Sequence, residues 1–176
     1  MKHHHFKTLT STNDWAKEHM SSFKQTELTI ISADVQTKAR GQYSRSWLSQ
    51  KGNLYVSFCF FENQETCTPI ALTQAMANLL LKFIQEYGLH CTIKIPNDLM
   101  IKGKKIAGIL CETVAFDHLT GVIIGVGLNI NMDSATLDQI SQPATSLKNE
   151  LGKTFEIEPI LDSIAKRFQD RLSHFD

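Results

Sequence analysis

The sequence carries no net charge: 18 Lys and Arg balance 18 Asp and Glu over 176 residues. That balance argues against a strongly basic nucleic-acid-binding domain and against a polyacidic tail. No apolar run approaches the ~20 residues needed to cross a bilayer, which excludes a membrane-spanning helix. The N-terminus, MKHHHFKTLTST, lacks the apolar core of a signal peptide. There is no N-x-S/T acceptor site and no C-x-x-C pair. Three of the four cysteines (Cys59, Cys67, Cys91 and Cys111) sit in apolar, strand-like runs, so we expect reduced core thiols in a cytoplasmic protein. Internal repeats and Pro/Gly-rich linkers are absent, and one domain is expected. Arginine is scarce, with only Arg40, Arg45, Arg167 and Arg171, yet two of these fall within six residues. What is there, 20% charged and 42% hydrophobic, reads as a globular chain.

The patterning predicts a first strand over 3–9 and a short helix over 13–22, capped by Ser11 or Thr12. LTIISADV (28–35) and NLYVSFCFF (53–61) read as strands, the second apolar on both faces and hence central. The run from Pro69 to Tyr87 has helical periodicity, with Gly88 placed to end it. Short strands are expected near 91–95 and 98–102, then a KGKK turn (102–105). IAGILCETV (106–114) and GVIIGVGLNI (121–130) read as a hairpin pair, and 157–174 as an amphipathic helix. This order predicts an α/β (α+β) fold, a mixed β-sheet flanked by helices. His3, His4 and His5 raise the question of a metal. In a strand His4 points away from the other two, and no closed zinc ligand set lies nearby.

The neutral total hides two basic segments. Residues 35–61 hold Lys38, Arg40, Arg45 and Lys51 without an acid, and 94–105 hold four lysines against Asp98. Two such loops suggest an anionic ligand, although surface lysine is common. QTKARGQYSRSW (36–47) joins a flexible Gly41 to two arginines, whose planar forks match phosphate and carboxylate oxygens. It is not a Walker A loop, and GVGLNI (125–130) lacks the third glycine of a dinucleotide fingerprint. KIPNDLM (94–100) presents Asn97 and Asp98 after Pro96: either a plain turn or an oxygen donor set for Mg²⁺. In GKKIAGILCE (103–112), regular alternation puts Lys105 and Ala107 on one face and Ile106 and Gly108 on the other. Gly108 leaves room for a ligand or for close strand packing.

Taken in order, STN (11–13), QTKARGQYSRSW (36–47), NLYVS (53–57), KIPND (94–98), GKKIAGIL (103–110), GVGLNIN (125–131) and ATSL (144–147) resemble biotin protein ligase across nearly the whole chain. The resemblance implies a catalytic domain related to class II tRNA synthetases. It implies an enzyme that activates biotin with ATP and Mg²⁺ as biotinyl-5′-AMP, then transfers it to a lysine of biotin carboxyl carrier protein. By motif, Ser11, Thr12, Asn13, Gln36, Arg40, Gly41, Gln42, Lys105, Gly108 and Ile109 would bind biotin. Arg45, Trp47, Lys94, Asn97, Asp98 and Asn129 would serve ATP, with Asp98 toward Mg²⁺. Lys105 and Arg40 would be the catalytic cations. A homodimer is compatible with this reading, and nucleic acid and membrane partners are not expected.

The chain departs from the family in places. The usual G-R-G-R reads Ala39-Arg40-Gly41-Gln42 here, and Ile95 stands where tryptophan usually precedes the proline. Residues 1–176 are expected to be a catalytic domain alone, without an N-terminal DNA-binding domain or a C-terminal SH3-like domain, so a repressor role is disfavoured. Two alternatives stay open. One is a lipoate or octanoate transferase of the same fold, whose usual R-R-x-S-G-G-G-A loop is absent. The other is a non-catalytic biotin- or nucleotide-binding module.

Overall fold

The computed structural model describes residues 1–65 and 68–172. Seven strands form one mixed sheet: β1 (Lys2–Leu9), β2 (Thr29–Gln36), β3 (Leu54–Asn63), β4 (Cys91–Lys94), β5 (Asp98–Ile101), β6 (Lys104–Ala115) and β7 (Leu119–Leu128). Their order is β1-β2-β3-β7-β6-β5-β4. Only β1 and β2 pair in parallel, and the connection between them carries helix α1 (Thr12–His19). β3 is buried along both faces as its apolar run predicts, because α1 covers one side and α2 (Pro69–Gln85) with the terminal helix covers the other.

The main core lies under α2 and that terminal helix, α5 (Ile157–Leu172). α5 buries Ile160, Leu161, Ile164, Ala165 and Phe168, the stripe its periodicity predicts. Phe168 anchors it, 5.3 Å from Phe58 and 5.7 Å from Phe60 between ring centroids. Each such fully buried side chain stabilises the fold by roughly 1.5–3 kcal/mol. A smaller core under α1 gathers Ala16, Met20, Ile31, Cys59 and Ile123. Two short helices, α3 (Ser134–Leu137) and α4 (Leu147–Leu151), occupy the region without a clear pattern. α2 stops at Gln85, two residues before the predicted end, and Gly88 takes a φ of +75° beyond it. The last two residues of the predicted terminal helix lie outside the described residues.

Ser11, not Thr12, caps α1, accepting from Asp14 N at 3.3 Å. His3 and His5 both meet Ser32 Oγ, at 2.8 and 2.9 Å, while His4 lies on the other face, 5.7 Å from the Trp15 ring. Among the described residues no group of three metal-ligating side chains is placed to hold an ion. Cys59 and Cys91 are buried and Cys111 is half-buried; Cys67 lies outside the described residues. Burial pushes the Cys91 thiol up to about 11. No helix among the described residues is long and apolar enough to cross a membrane.

One expectation about faces is overturned. β5 and β6 pair as Asp98–Gly108 and Leu99–Ala107, but then as Met100–Lys105, leaving Ile106 as an extra residue. This β-bulge turns Ile106 into the main core beside Ala107 and puts Lys105 on the side of Gly108. Backbone bonds hold the bulge in place. Lys105 N donates to Pro143 O and Thr145 N to Lys105 O, both at 2.9 Å, and Asn129 N donates to Ile106 O at 2.9 Å.

Candidate active site

A cleft of about 450 Å³ opens where the N-terminus of α1, the 36–47 loop and strands β6 and β7 meet. Its floor is bare backbone. Gly108 and Gly127 are direct partners across β6 and β7. A Cβ on Gly108 would come within 2.8 Å of the Trp47 ring, and one on Gly127 within 2.7 Å. The indole therefore lies flat on two side-chain-free positions, where no larger residue fits. Lys105 Nζ sits 5.0 Å from the Trp47 ring centroid and 2.7 Å from Asp98 Oδ1. Lys105 and Asp98 are only 14% and 15% exposed, so this cation is held largely out of water beside an aromatic face.

One wall is a connected polar network. Thr12 N donates to Gln36 Oε1 at 2.7 Å. Ser57 Oγ lies 2.8 Å from Thr12 Oγ1 and donates to Asn13 Oδ1 at 2.6 Å. Asn13 Nδ2 donates to Glu112 Oε2 at 2.8 Å and to Leu110 O at 3.2 Å. Asn13 is thus a brace between α1, β3 and β6, and a Cβ on Gly125 would collide with its amide oxygen. Glu112 also accepts from Lys17 at 2.8 Å and from Arg40 at 2.9 Å, and Arg40 in turn bonds Asp14. Burial works against the Glu112 charge, but the bonds from Lys17, Asn13 and Arg40 outweigh it and hold its pKa below the usual carboxylate range. The bond to Asp14 raises the pKa of Arg40, with a further contribution from Glu112.

The structure brings most of the sequence-predicted residues together. Ser11, Thr12, Asn13, Gln36, Arg40, Gly41, Gln42, Arg45, Trp47, Asn97, Lys105, Gly108 and Ile109 all border the cleft. Three of them need qualification. Ile109 turns its side chain into the main core, so it bounds the cleft without offering an apolar wall to it. Asn97 spends its Nδ2 on Ile109 O at 2.8 Å and is a strut of the β5 turn. Arg45 is exposed; it donates to Gln42 O at 3.3 Å and lies 5.7 Å from the ring of Tyr43, itself at a φ of +56°.

Lys94 is a correction. It ends β4, opposite Asp98 in the ladder, and it is exposed outside the cleft. β4 is the edge strand, two strands from β6, and Asp98, which does not itself border the cleft, reaches the site through its ion pair with Lys105. Asn129 lines a small adjoining recess with Trp47, Lys105 and Gln142. Its Nδ2 donates to Thr145 O at 3.0 Å, but Asn129 Oδ1 is buried without a partner, as is Trp47 Nε1. One orphan acceptor and one orphan donor on the same recess mark a place for a polar ligand.

Sequence reasoning assigned no role to Asp14, Ser57, Glu112, Gly125 or Gly127. The two glycines carried a signal. Spaced by two in a strand, they strip one face, which the test for a dinucleotide fingerprint overlooked. Glu112 carried none, because its partners come from two distant segments, α1 and the 36–47 loop.

A family model for the biotin/lipoate A/B protein ligase family matches residues 5–129. The bifunctional ligase/repressor BirA of Bacillus subtilis is 36% identical over 174 residues, covering 94% of this chain and 53% of that protein. Biotin–protein ligase 2 of Arabidopsis thaliana is 30% identical over 175 residues, covering 92% and 50%. Against these curated relatives the chain spans about half their length. Among solved structures, the biotin protein ligase of Aquifex aeolicus in complex with biotin and ATP superposes with a TM-score of 0.79 at 28% identity, covering 99% of this chain and 71% of that one. With a family model matching well over half of its length, the chain belongs to the biotin/lipoate A/B protein ligase family.

Proposed function

We propose that this chain is the catalytic part of a biotin protein ligase. The observation that carries the reading is Lys105, turned by a β-bulge onto Trp47 above a floor of paired glycines, inside a cleft sized for a small molecule. In the first step a biotin carboxylate oxygen attacks the α-phosphorus of ATP. The bond to the bridging oxygen breaks, and pyrophosphate leaves with its electron pair. In the second step the neutral amine of an acceptor lysine attacks the acyl carbon of biotinyl-5′-AMP. An amide forms, AMP leaves, and the amine loses a proton.

Two anions must meet in the first step. A cation poised between them lowers the barrier by positioning and by offsetting charge. Lys105 is the group with that position. The wall of Ser11, Thr12 and Gln36 offers hydroxyl and amide groups to the ureido ring of biotin, and Trp47, seated on the Gly108–Gly127 strip, offers an aromatic surface beside Lys105. Trp47 Nε1 and Asn129 Oδ1, the orphan donor and acceptor, suit the nucleotide end.

Asp98 and Asn129 would hold Mg²⁺. The donors are of the right kind: Asn129 Oδ1 is a buried, unpartnered hard oxygen, and Asp98 has a carboxylate whose Oδ1 Lys105 already holds at 2.7 Å. Without a third protein carboxylate or histidine, the remaining ligands would be phosphate oxygens and water. When bound, the ion neutralises phosphate charge.

The proposed acceptor is the lysine-bearing domain of a biotin carboxyl carrier protein, and the proposed compartment is the cytoplasm, consistent with the buried Cys59 and Cys91 thiols. Neither nucleic acid nor membrane is a proposed partner. Every group named above comes from one chain, so the chemistry places no demand on a homodimer.

The test is biotin-dependent ATP–pyrophosphate exchange, with calorimetry of biotin, lipoate and octanoate in parallel. We expect biotin alone to bind and support exchange. Lys105→Ala should lower exchange by about 10²–10³, the loss usual for one charge-stabilising donor. Exchange that runs equally well without biotin, or on lipoate in its place, would sink the reading.

A further inference from the structure

The charge on Arg40 is already engaged. Its guanidinium bonds Asp14 on α1 and both Glu112 oxygens on β6, at 3.1 and 2.9 Å. Lys17 and Asn13 meet the same Glu112 carboxylate, each at 2.8 Å. The four ionic groups of this cluster, Arg40 and Lys17 against Asp14 and Glu112, cancel one another. Lys105 is paired as well, with Asp98. Among the described residues the loop cations Lys38 and Arg45 have no carboxylate partner, and of these two Arg45 borders the cleft.

The loop carrying Arg40 is a closed hairpin-like unit. Gly41 N donates to Arg45 O at 2.7 Å and Trp47 N to Ala39 O at 3.0 Å, while Arg40 and Ser46 form an isolated antiparallel bridge. Whatever fixes Arg40 therefore also fixes Trp47, which continues the same arm. Arg40 Nη2 has two separate anchors in the fold. One carboxylate projects from the first turn of α1, and the other from the middle of a central strand.

We propose that Asp14 and Glu112 are positioning residues, acting through Arg40 as a latch that holds the 37–47 loop over the cleft and seats Trp47 on Gly108 and Gly127. In this arrangement Arg40 is not the cation that meets phosphate; Arg45 and Lys105 are. The catalytic half of the inference rests on the ligase reading above, and the mechanical half does not. All three contacts run through Nη2, which stands one bond farther from the backbone than a lysine Nζ, so lysine keeps the charge but falls short of the two carboxylates.

The experiment uses the full chain with Asp14→Asn, Glu112→Gln and Arg40→Lys. Two readouts are taken: tryptic cleavage after Arg45 in the folded protein, and kcat and KM for biotin in pyrophosphate exchange. A latch that loses one charge-assisted bond should open about tenfold more often. We expect about tenfold faster cleavage and about a tenfold higher KM in each variant, with kcat within about twofold, at a temperature well below each variant's thermal midpoint. Arg40→Lys should be as impaired as Glu112→Gln, since its retained charge does not rescue the span. Unchanged cleavage overturns the latch. So does a fall in kcat at constant KM, or full rescue by lysine, because either assigns the Arg40 charge to the reacting groups. If the wild-type chain shows no biotin-dependent exchange, the ligase reading fails, and the cleavage rates still decide the latch.

Discussion

Lys105 and Gly108 lie on the same side of β6 although they are three residues apart in a strand. A Cβ built on Gly108 would be 3.1 Å from Lys105 Cε and 3.2 Å from Nζ. Regular pleating puts positions i and i+3 on opposite faces. The extra residue Ile106 reverses that, so the main core gains an isoleucine and the cleft gains its lysine. Had β6 paired regularly, the lysine would point into a layer where 30 buried residues make up the apolar core, a placement that costs several kcal/mol for a charged group.

The glycine floor gives a binding prediction. Gly127→Ala places a methyl group 2.7 Å from a rigid indole, and the ring must shift or lift. Overpacking of this kind costs roughly 1–3 kcal/mol. Because the cost falls on the loop and not on the core, biotin affinity by calorimetry should drop about 10- to 100-fold, with little change in the denaturation midpoint. An unchanged affinity would show that Trp47 need not lie where it does when biotin is bound.

Asn53 gives a stability prediction. It is 3% exposed, and its Oδ1 accepts from Ile130 N at 2.7 Å and Asn131 N at 3.0 Å, tying the start of β3 to the chain leaving β7. Asn53→Ala leaves Ile130 N unsatisfied, while Asn131 N keeps Gly52 O at 3.2 Å. Urea denaturation should show a loss of about 1–3 kcal/mol, the cost of one buried unsatisfied group. A loss under about 1 kcal/mol would mean that water replaces the side chain.

Gln42 borders the cleft at a place where the family usually carries arginine. A neutral amide holds an acyl phosphate less well than a guanidinium does. Gln42→Arg should therefore slow release of biotinyl-5′-AMP, timed after a single turnover without acceptor. Equal release rates would show that retention is set elsewhere, with Lys105 and Arg45 the first groups to test.

Acid should weaken the α1–β6 junction through Glu112. Its pKa is lower in the fold than in the unfolded chain, because the bonds to Lys17, Asn13 and Arg40 outweigh the effect of burial. Such a group contributes stability above its unfolded pKa and loses it as pH falls through the folded value. The wild-type chain should thus lose stability below roughly pH 4 more steeply than Glu112→Gln, which cannot titrate. Parallel slopes for the two proteins would remove Glu112 from the account.

Much was legible without coordinates, and the reason is local. Strand runs such as LTIISADV, the apolar stripe of α5 and the cap of α1 depend on spacing within a few residues, so periodicity and propensity found them. The alternation of His3, His4 and His5 followed from strand geometry in the same way. The ordered motifs also pointed to the site, since each was read within a single short segment.

What the chain order could not decide was pairing between distant segments. The bulge at Ile106 depends on how β5 lies against β6, and register is a property of two strands together. The exclusion of Lys94 from the cleft follows from the strand order, which puts β4 at the sheet edge. Above all, Arg40 reads in the sequence as a cation free to meet an anion. Only tertiary packing brings Asp14 and Glu112 to it from 26 and 72 residues away, and contact between charges is a matter of ångströms in space, not of position along the chain.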